Sequence, residues 1–82
     1  MDLPLLIRFE AEEDIDEACR WYEDQQVGLG TEFIKVLEGA FAKIGTSPEM
    51  YPLVYRNVRR LLIPKFPYAI FYIVEPEAII HL

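Results

Sequence analysis

The chain has 82 residues, 52% of them hydrophobic, which fits one small globular domain and excludes a disordered chain. No stretch has the roughly 18 consecutive apolar residues of a membrane span, and the N-terminus lacks a signal-peptide layout. With its single cysteine, the chain is therefore expected to be cytoplasmic rather than a membrane or secreted protein. The net charge of −6 argues against a protein that mainly holds a phosphate backbone.

The N-terminal part predicts one short strand and two helices. Residues 3–9 are mostly apolar and predict a strand. Residues 11–26 predict a helix whose acidic first turns suit the positive end of its dipole. A second helix is predicted from residue 29 or 31 to residue 44, with Gly28 ending the first helix and Gly45 capping the second. The short connection between the helices requires an antiparallel hairpin.

Apolar residues at helical spacing predict the side of the hairpin that faces the core. They are Ile15, Ala18, Tyr22, Phe33, Leu37, Phe41 and Ile44.

The C-terminal part changes to a two-residue period and predicts three strands. Residues 53–63, 68–75 and 78–82 form these strands, and proline-containing turns join them. Strands so close in sequence pair as antiparallel hairpins. The whole chain is therefore predicted to be one α+β domain of order β-α-α-β-β-β, with the helical hairpin packed on one face of a small antiparallel sheet.

Few side chains offer conventional catalytic chemistry. Cys19 lies on the apolar stripe of the first helix and is expected to be a buried small side chain rather than a nucleophile. The lone His81 cannot build an imidazole metal cluster, and we expect neither a metal nor another cofactor. The segment 28–30, Gly-Leu-Gly, favours a turn between helices over a phosphate loop, because no lysine follows and no strand precedes it.

Basic residues and a tyrosine near the predicted strands are the best candidates for function. Arg56 and Arg60 fall on one face of the strand at 53–63, Arg59 falls on the other, and Lys65 lies in the turn before Tyr68. Such groups serve either a phosphate-stabilising site or a protein interface, and the missing general base favours the interface. All five are candidate partner-binding residues.

Several stretches of the chain resemble the ParE branch of the RelE/ParE toxin superfamily. They are Glu-Ala-Glu-Glu-Asp-Ile-Asp-Glu-Ala at 10–18, Trp-Tyr-Glu at 21–23, Gly-Leu-Gly at 28–30 with Phe33, Ser-Pro-Glu-Met-Tyr-Pro at 47–52, Val-Arg-Arg at 58–60 and Phe-Pro-Tyr-Ala-Ile-Phe-Tyr at 66–72. The resemblance covers almost the whole chain in the order that the family shows. It implies the toxin of a type II toxin–antitoxin, or plasmid stabilisation, system that a cognate antitoxin neutralises.

Within this superfamily, ParE-like members poison DNA gyrase and RelE-like members cleave mRNA on the ribosome. The candidate catalytic residues that the resemblance implies are Arg60, Tyr68 and His81. RelE-like nucleases tend to carry an arginine where this chain has Ala69, and one of their paired lysines falls on Leu62. The resemblance therefore favours gyrase inhibition, with an mRNA endonuclease or an inactive toxin-derived binding module as alternatives.

The last predicted strand is expected to be incomplete, because family members continue into a short tail with a histidine and paired arginines. An incomplete strand would leave an exposed sheet edge. Because that tail contributes to toxicity in both branches, the resemblance implies weak toxicity or none. The exposed edge predicts a homodimer formed through the C-terminal strands.

Overall fold

The computed structural model describes residues 3–82 and contains two helices and five strands. The elements in chain order are β1 (Leu5–Ile7), α1 (Phe9–Gln25), α2 (Leu29–Thr46), β2 (Leu53–Tyr55), β3 (Val58–Leu62), β4 (Ala69–Val74) and β5 (Ile79–His81). The α+β class and the helical hairpin are confirmed. The first strand is shorter than predicted, because Phe9 already belongs to α1.

The five strands form one sheet in the order β1-β5-β4-β3-β2. β2 to β5 pair as antiparallel neighbours, whereas β1 pairs with β5 in parallel, with Leu5 opposite Ile79 and Ile7 opposite His81. The sheet is thus mixed, and the prediction of a wholly antiparallel sheet is corrected. A parallel pair requires a long connection, and here α1, α2 and β2 to β4 lie between the two strands in sequence.

β5 is an interior strand and not an edge. It lies between β4 and β1, and Arg8 also donates its backbone N–H to the carbonyl of His81 at 3.0 Å. The edges of the sheet are β1 and β2 instead. The expectation that the last strand is an unpaired edge is therefore corrected, while the homodimer through the C-terminal strands stays a prediction.

The long strand predicted over residues 53–63 is a hairpin of two short strands. A two-residue connection, Arg56 and Asn57, joins β2 to β3, and Arg56 adopts a φ of 52°. The alternating pattern did not reveal this turn, because the residues on both sides of it continue the two-residue period. The element order therefore has one more strand than was predicted.

Gly28 lies between the two helices as predicted, whereas Gly45 does not cap α2 as predicted. Gly28 has a φ of 90°, in the left-handed region that glycine tolerates, and it turns the chain between α1 and α2. Gly45, the predicted cap of α2, lies inside the helix. The helix continues to Thr46, and Ser47 donates its N–H to the carbonyl of Lys43 before Pro48 prevents continuation.

The core lies between the helical hairpin and one face of the sheet. The predicted residues Ile15, Phe33, Leu37 and Ile44 are buried, and Ala18, Tyr22 and Phe41 pack against them. The sheet contributes the buried side chains of Leu61, Ile63, Ile70, Tyr72 and Ile79. The predicted core face of the hairpin is confirmed.

Candidate functional site

The sheet face opposite the helices is apolar and has no layer of described residues over it. Alternate strand residues point to opposite faces, so the neighbours of the core residues point away from the helices. We call their surface the open face; it consists of Leu6, Val58, Arg60, Leu62, Phe71, Ile73 and Ile80. The side chains of Leu6, Leu62 and Phe71 are 55%, 66% and 41% exposed. A contiguous apolar surface of this kind is typical of a protein-binding site.

Arg60 is the one charged residue of the open face. It lies directly opposite Phe71 in the β3–β4 register, between Val58 and Leu62 along its own strand. Its Nε atom is buried and has no hydrogen-bond partner among the described residues. Among residues 3–82, the one ion pair within 4.0 Å joins Lys65 to Glu32. The guanidinium of Arg60 therefore has no counter-ion among these residues. A buried N–H without a partner costs about 1–3 kcal/mol, and an anionic partner group would offset that cost.

Arg59 is on the opposite face and is occupied by contacts within the chain. Its Nη1 donates hydrogen bonds to the carbonyl of Tyr51 at 2.6 Å and to the carbonyl of Glu49 at 3.1 Å. The Tyr72 hydroxyl donates to the carbonyl of Pro48 at 2.6 Å nearby. Burial raises the pKa of Tyr72, although the positive charge of Arg59 acts in the other direction. Both side chains therefore hold the α2–β2 loop against the sheet.

Arg56 and Lys65 lie at opposite ends of β3. Arg56 is in the β2–β3 turn, with its guanidinium carbon 5.2 Å from the centroid of the Tyr55 ring. Lys65 is in the turn between β3 and β4, where its Nζ lies 3.2 Å from Oε1 of Glu32. Both side chains are exposed, and neither belongs to the open face. The basic candidates are therefore spread over the surface.

Tyr68 and His81 are on the helix side of the sheet. The ring of Tyr68 packs edge-on against Phe33 at 5.2 Å, and burial raises its pKa, with a smaller contribution from Asp14. His81 is 2% exposed and lies 5.5 Å from the ring of Phe41. Its Nδ1 has no partner, and burial lowers its pKa, although Asp14 opposes that shift. The sheet thus separates both residues from the guanidinium of Arg60.

The turn between the helices carries an internal anion. Glu23 of α1 accepts a hydrogen bond from the Gly28 N–H at 2.9 Å and another from the Gly30 N–H at 3.0 Å. Its carboxylate thereby satisfies two of the free N–H groups at the start of α2 and complements the helix dipole. The Cys19 thiol is partly buried and donates to the carbonyl of Gly30 at 3.5 Å. Gly28 therefore serves the turn through its positive φ, and Gly30 allows α2 to pack closely against α1.

Sequence reasoning identified Arg60 and its apolar strand neighbours Val58 and Leu62, but missed the apolar residues of β1, β4 and β5 that share this face. Residues 69–74 are six consecutive apolar residues, so both faces of β4 are apolar, while a single helical hairpin can cover one face alone. That run was the signal for a second buried or partner-covered face. The basic residues at positions 56–60 indicated a charged strand surface instead.

The chain matches one of the known protein families. The family described as ParE toxin of type II toxin–antitoxin system, parDE, matches residues 5–82. Among curated proteins no relative matches the chain. Neither described helix is long and apolar enough to cross a membrane. Within residues 3–82, no three His, Cys, Asp or Glu side chains are grouped closely enough to hold a metal ion.

Proposed function

Because this chain belongs to the ParE toxin family of type II toxin–antitoxin systems, we propose that it inhibits DNA gyrase in the cytoplasm until a cognate antitoxin binds it. A plasmid that encodes such a pair would be stabilised by it. Protein–protein recognition, and not hydrolysis, is the chemistry that this function requires of the chain.

The open face is the observation that carries this proposal. It combines exposed leucine and phenylalanine side chains with one arginine that has no internal counter-ion. Arginine and large apolar side chains are the usual anchors of protein interfaces. Of the five candidate partner-binding residues, Arg60 is the one that we place in this contact. Arg56, Arg59, Lys65 and Tyr68 lie outside the open face.

The alternative of an mRNA endonuclease has less support. A phosphoryl-transfer site needs several groups directed at one phosphate. Here Arg60 is on one face of the sheet, while Tyr68 and His81 pack on the other. The net charge of −6 would also repel an RNA backbone. We therefore propose a non-hydrolytic toxin.

The proposal is tested with purified gyrase and with ribosomes in parallel. Supercoiling of relaxed plasmid by gyrase should be inhibited by the chain, and the inhibition should weaken in Arg60→Ala. Arg20→Ala is the matched control, because Arg20 is an exposed arginine on α1, away from the sheet.

The two other functions give different results in the same experiment. Unimpeded gyrase together with cut message on ribosomes would replace the proposal with the endonuclease. Inactivity in both assays, with tight binding to the product of an adjacent small reading frame, would show an inactive toxin-derived binding module.

A further inference from the structure

Charge is divided between two parts of the chain. Residues 1–38 carry eleven acidic side chains and three basic ones, whereas residues 39–74 carry one acidic side chain, Glu49, and five basic ones. Residues 39–74 therefore have a net charge of +4, although the whole chain has a net charge of −6. They form the C-terminal part of α2 and the strands β2, β3 and β4. This part of the molecule attracts an acidic partner, while the acidic helix α1 repels one.

A surface groove lies at the β2–β3 turn in this basic part. We call it the end groove; its volume is about 320 Å³, and it is lined by Glu49, Leu53, Arg56, Asn57, Arg59 and Val74. Because Arg59 is on the face opposite Arg60, the end groove is separate from the open face. Leu53 is 55% exposed, so an apolar surface lies free beside two guanidinium groups.

Arg59 supplies a cation that the fold already holds in place. Its Nη1 donates to the carbonyls of Tyr51 and Glu49 at 2.6 Å and 3.1 Å. Its other donor atoms, Nε and Nη2, lie outside these two bonds. A guanidinium that is fixed in this way loses little side-chain freedom when it binds a carboxylate.

Arg56 supplies a second cation from an unfavourable backbone conformation. Its φ of 52° is in the left-handed region, where two-residue hairpin turns usually have glycine. Its guanidinium carbon lies 5.2 Å from the centroid of the Tyr55 ring, a cation–π contact that orients the side chain. In the described part of the chain, neither Arg56 nor Arg59 has a carboxylate within 4.0 Å. An arginine that strains its own turn and pairs with no acid is suited to binding rather than to stability.

We infer that the end groove binds an acidic side chain, with an apolar neighbour, from a surface loop of gyrase. Arg56 and Arg59 donate to the carboxylate, and the apolar neighbour covers Leu53 and Val74. The inference rests on the proposed function and adds a second contact outside the open face. β2 has three residues and an irregular register with β3, which disfavours the addition of a strand at this edge and favours contact through side chains.

A second copy of the chain and a nucleic acid fit the end groove less well. A two-fold contact between two end grooves would bring four guanidinium groups together. A phosphate backbone would pair with the arginines but would leave Leu53 and Val74 without apolar contacts. It would also meet the field of a chain whose net charge is −6.

The test is the affinity of the chain for purified gyrase, measured by biolayer interferometry. Arg56→Gly removes the guanidinium and places glycine at the positive φ, so this variant should melt no lower than the parent. Its affinity for gyrase should nevertheless fall about ten-fold or more, as for other arginine anchors of interfaces. Leu53→Asp should weaken binding as well, because it places a like charge beside the incoming carboxylate. Arg20→Ala, on α1, should bind like the parent.

Each other result has a definite meaning. Unchanged affinity of folded Arg56→Gly and Leu53→Asp would overturn the inference, while inhibition by the parent that weakens in Arg60→Ala would leave the proposed function intact. Retention of plasmid DNA without gyrase, by the parent and not by Arg56→Gly, would make a nucleic acid the ligand and would also overturn the inference. Failure of the parent to bind gyrase at all would overturn the inference and the proposed function together.

Discussion

Two glycines of α2 provide a direct test of how the helical hairpin packs. A Cβ added at Gly30 would lie 2.8 Å from the backbone oxygen of Cys19, 3.0 Å from Oε1 of Glu23 and 3.1 Å from its Cβ. A Cβ added at Gly39 would meet no atom within 4 Å. The same substitution in the same helix is therefore expected to have opposite effects on stability.

The magnitudes follow from the two environments. Gly39→Ala should stabilise the protein by about 1 kcal/mol, because alanine loses less backbone entropy in a helix. Gly30→Ala gains at most the same stability from helix propensity, but its added Cβ must push α2 away from the backbone of α1. Overpacking of this kind costs about 1–3 kcal/mol. Because the gain in helix propensity is common to both variants, the difference between them measures the steric cost.

Thermal unfolding followed by circular dichroism measures this difference. In a domain of this size, each kcal/mol changes Tm by about 4–8 °C. Gly30→Ala should thus melt several degrees or more below Gly39→Ala, and Gly39→Ala should melt above the parent. If Gly30→Ala were as stable as Gly39→Ala, the close contact of the helices at Gly30 would be refuted, and with it the structural explanation of the Gly-Leu-Gly segment.

Three further predictions concern the core, the buried histidine and the absence of hydrolysis. Leu37→Ala should lower the free energy of unfolding by about 2–5 kcal/mol, because Leu37 is 1% exposed. Leu62→Ala should have a small effect, because Leu62 is 66% exposed. Equal losses of stability in urea denaturation would contradict the assignment of Leu37 to the core. Burial lowers the pKa of His81 in the folded protein. As the pH falls below about 6.5, the value expected in the unfolded chain, His81 is therefore protonated more readily in the unfolded chain than in the folded protein. The contribution of His81 to stability is complete above that pH and declines as the pH falls through the folded pKa. His81→Phe should lack this decline, and parallel stability curves between pH 7.5 and 5 would show that the histidine is not buried as a neutral group. Purified protein should leave ribosome-bound message intact, because the sheet separates Arg60 from Tyr68; cuts that disappear in Arg60→Ala would promote the endonuclease.

Local patterns were sufficient for the helices and for the side of them that faces the core. The spacing of Phe33, Leu37 and Ile44 places these residues on one stripe of a helix in any tertiary context, and all three are buried. The family could also be recognised from short motifs in the right order, which the match over residues 5–82 confirms. Secondary-structure class and family are therefore properties that this sequence carries in its local order.

The candidate site depended on contacts that no local pattern contains. Arg59 and Arg60 are adjacent in sequence, yet one binds the carbonyls of the α2–β2 loop and the other lies among apolar side chains of the open face. Their different environments come from loops and strands distant in the chain. Tyr68 and His81 are likewise separated from Arg60 by the direction in which alternate strand residues point.

The sequence by itself determined the two amphipathic helices, the core stripe and an apolar C-terminal half with a few basic residues. Tertiary structure alone decided that β5 is an interior strand. β1, which precedes the helical hairpin in sequence, pairs with β5 in parallel and so covers its outer side. Strand order is fixed by long-range hydrogen bonds between residues more than seventy positions apart, as Leu5 and Ile79 show. The two-residue period specifies which side chains share a face, but not which strands are neighbours or which face the helices cover.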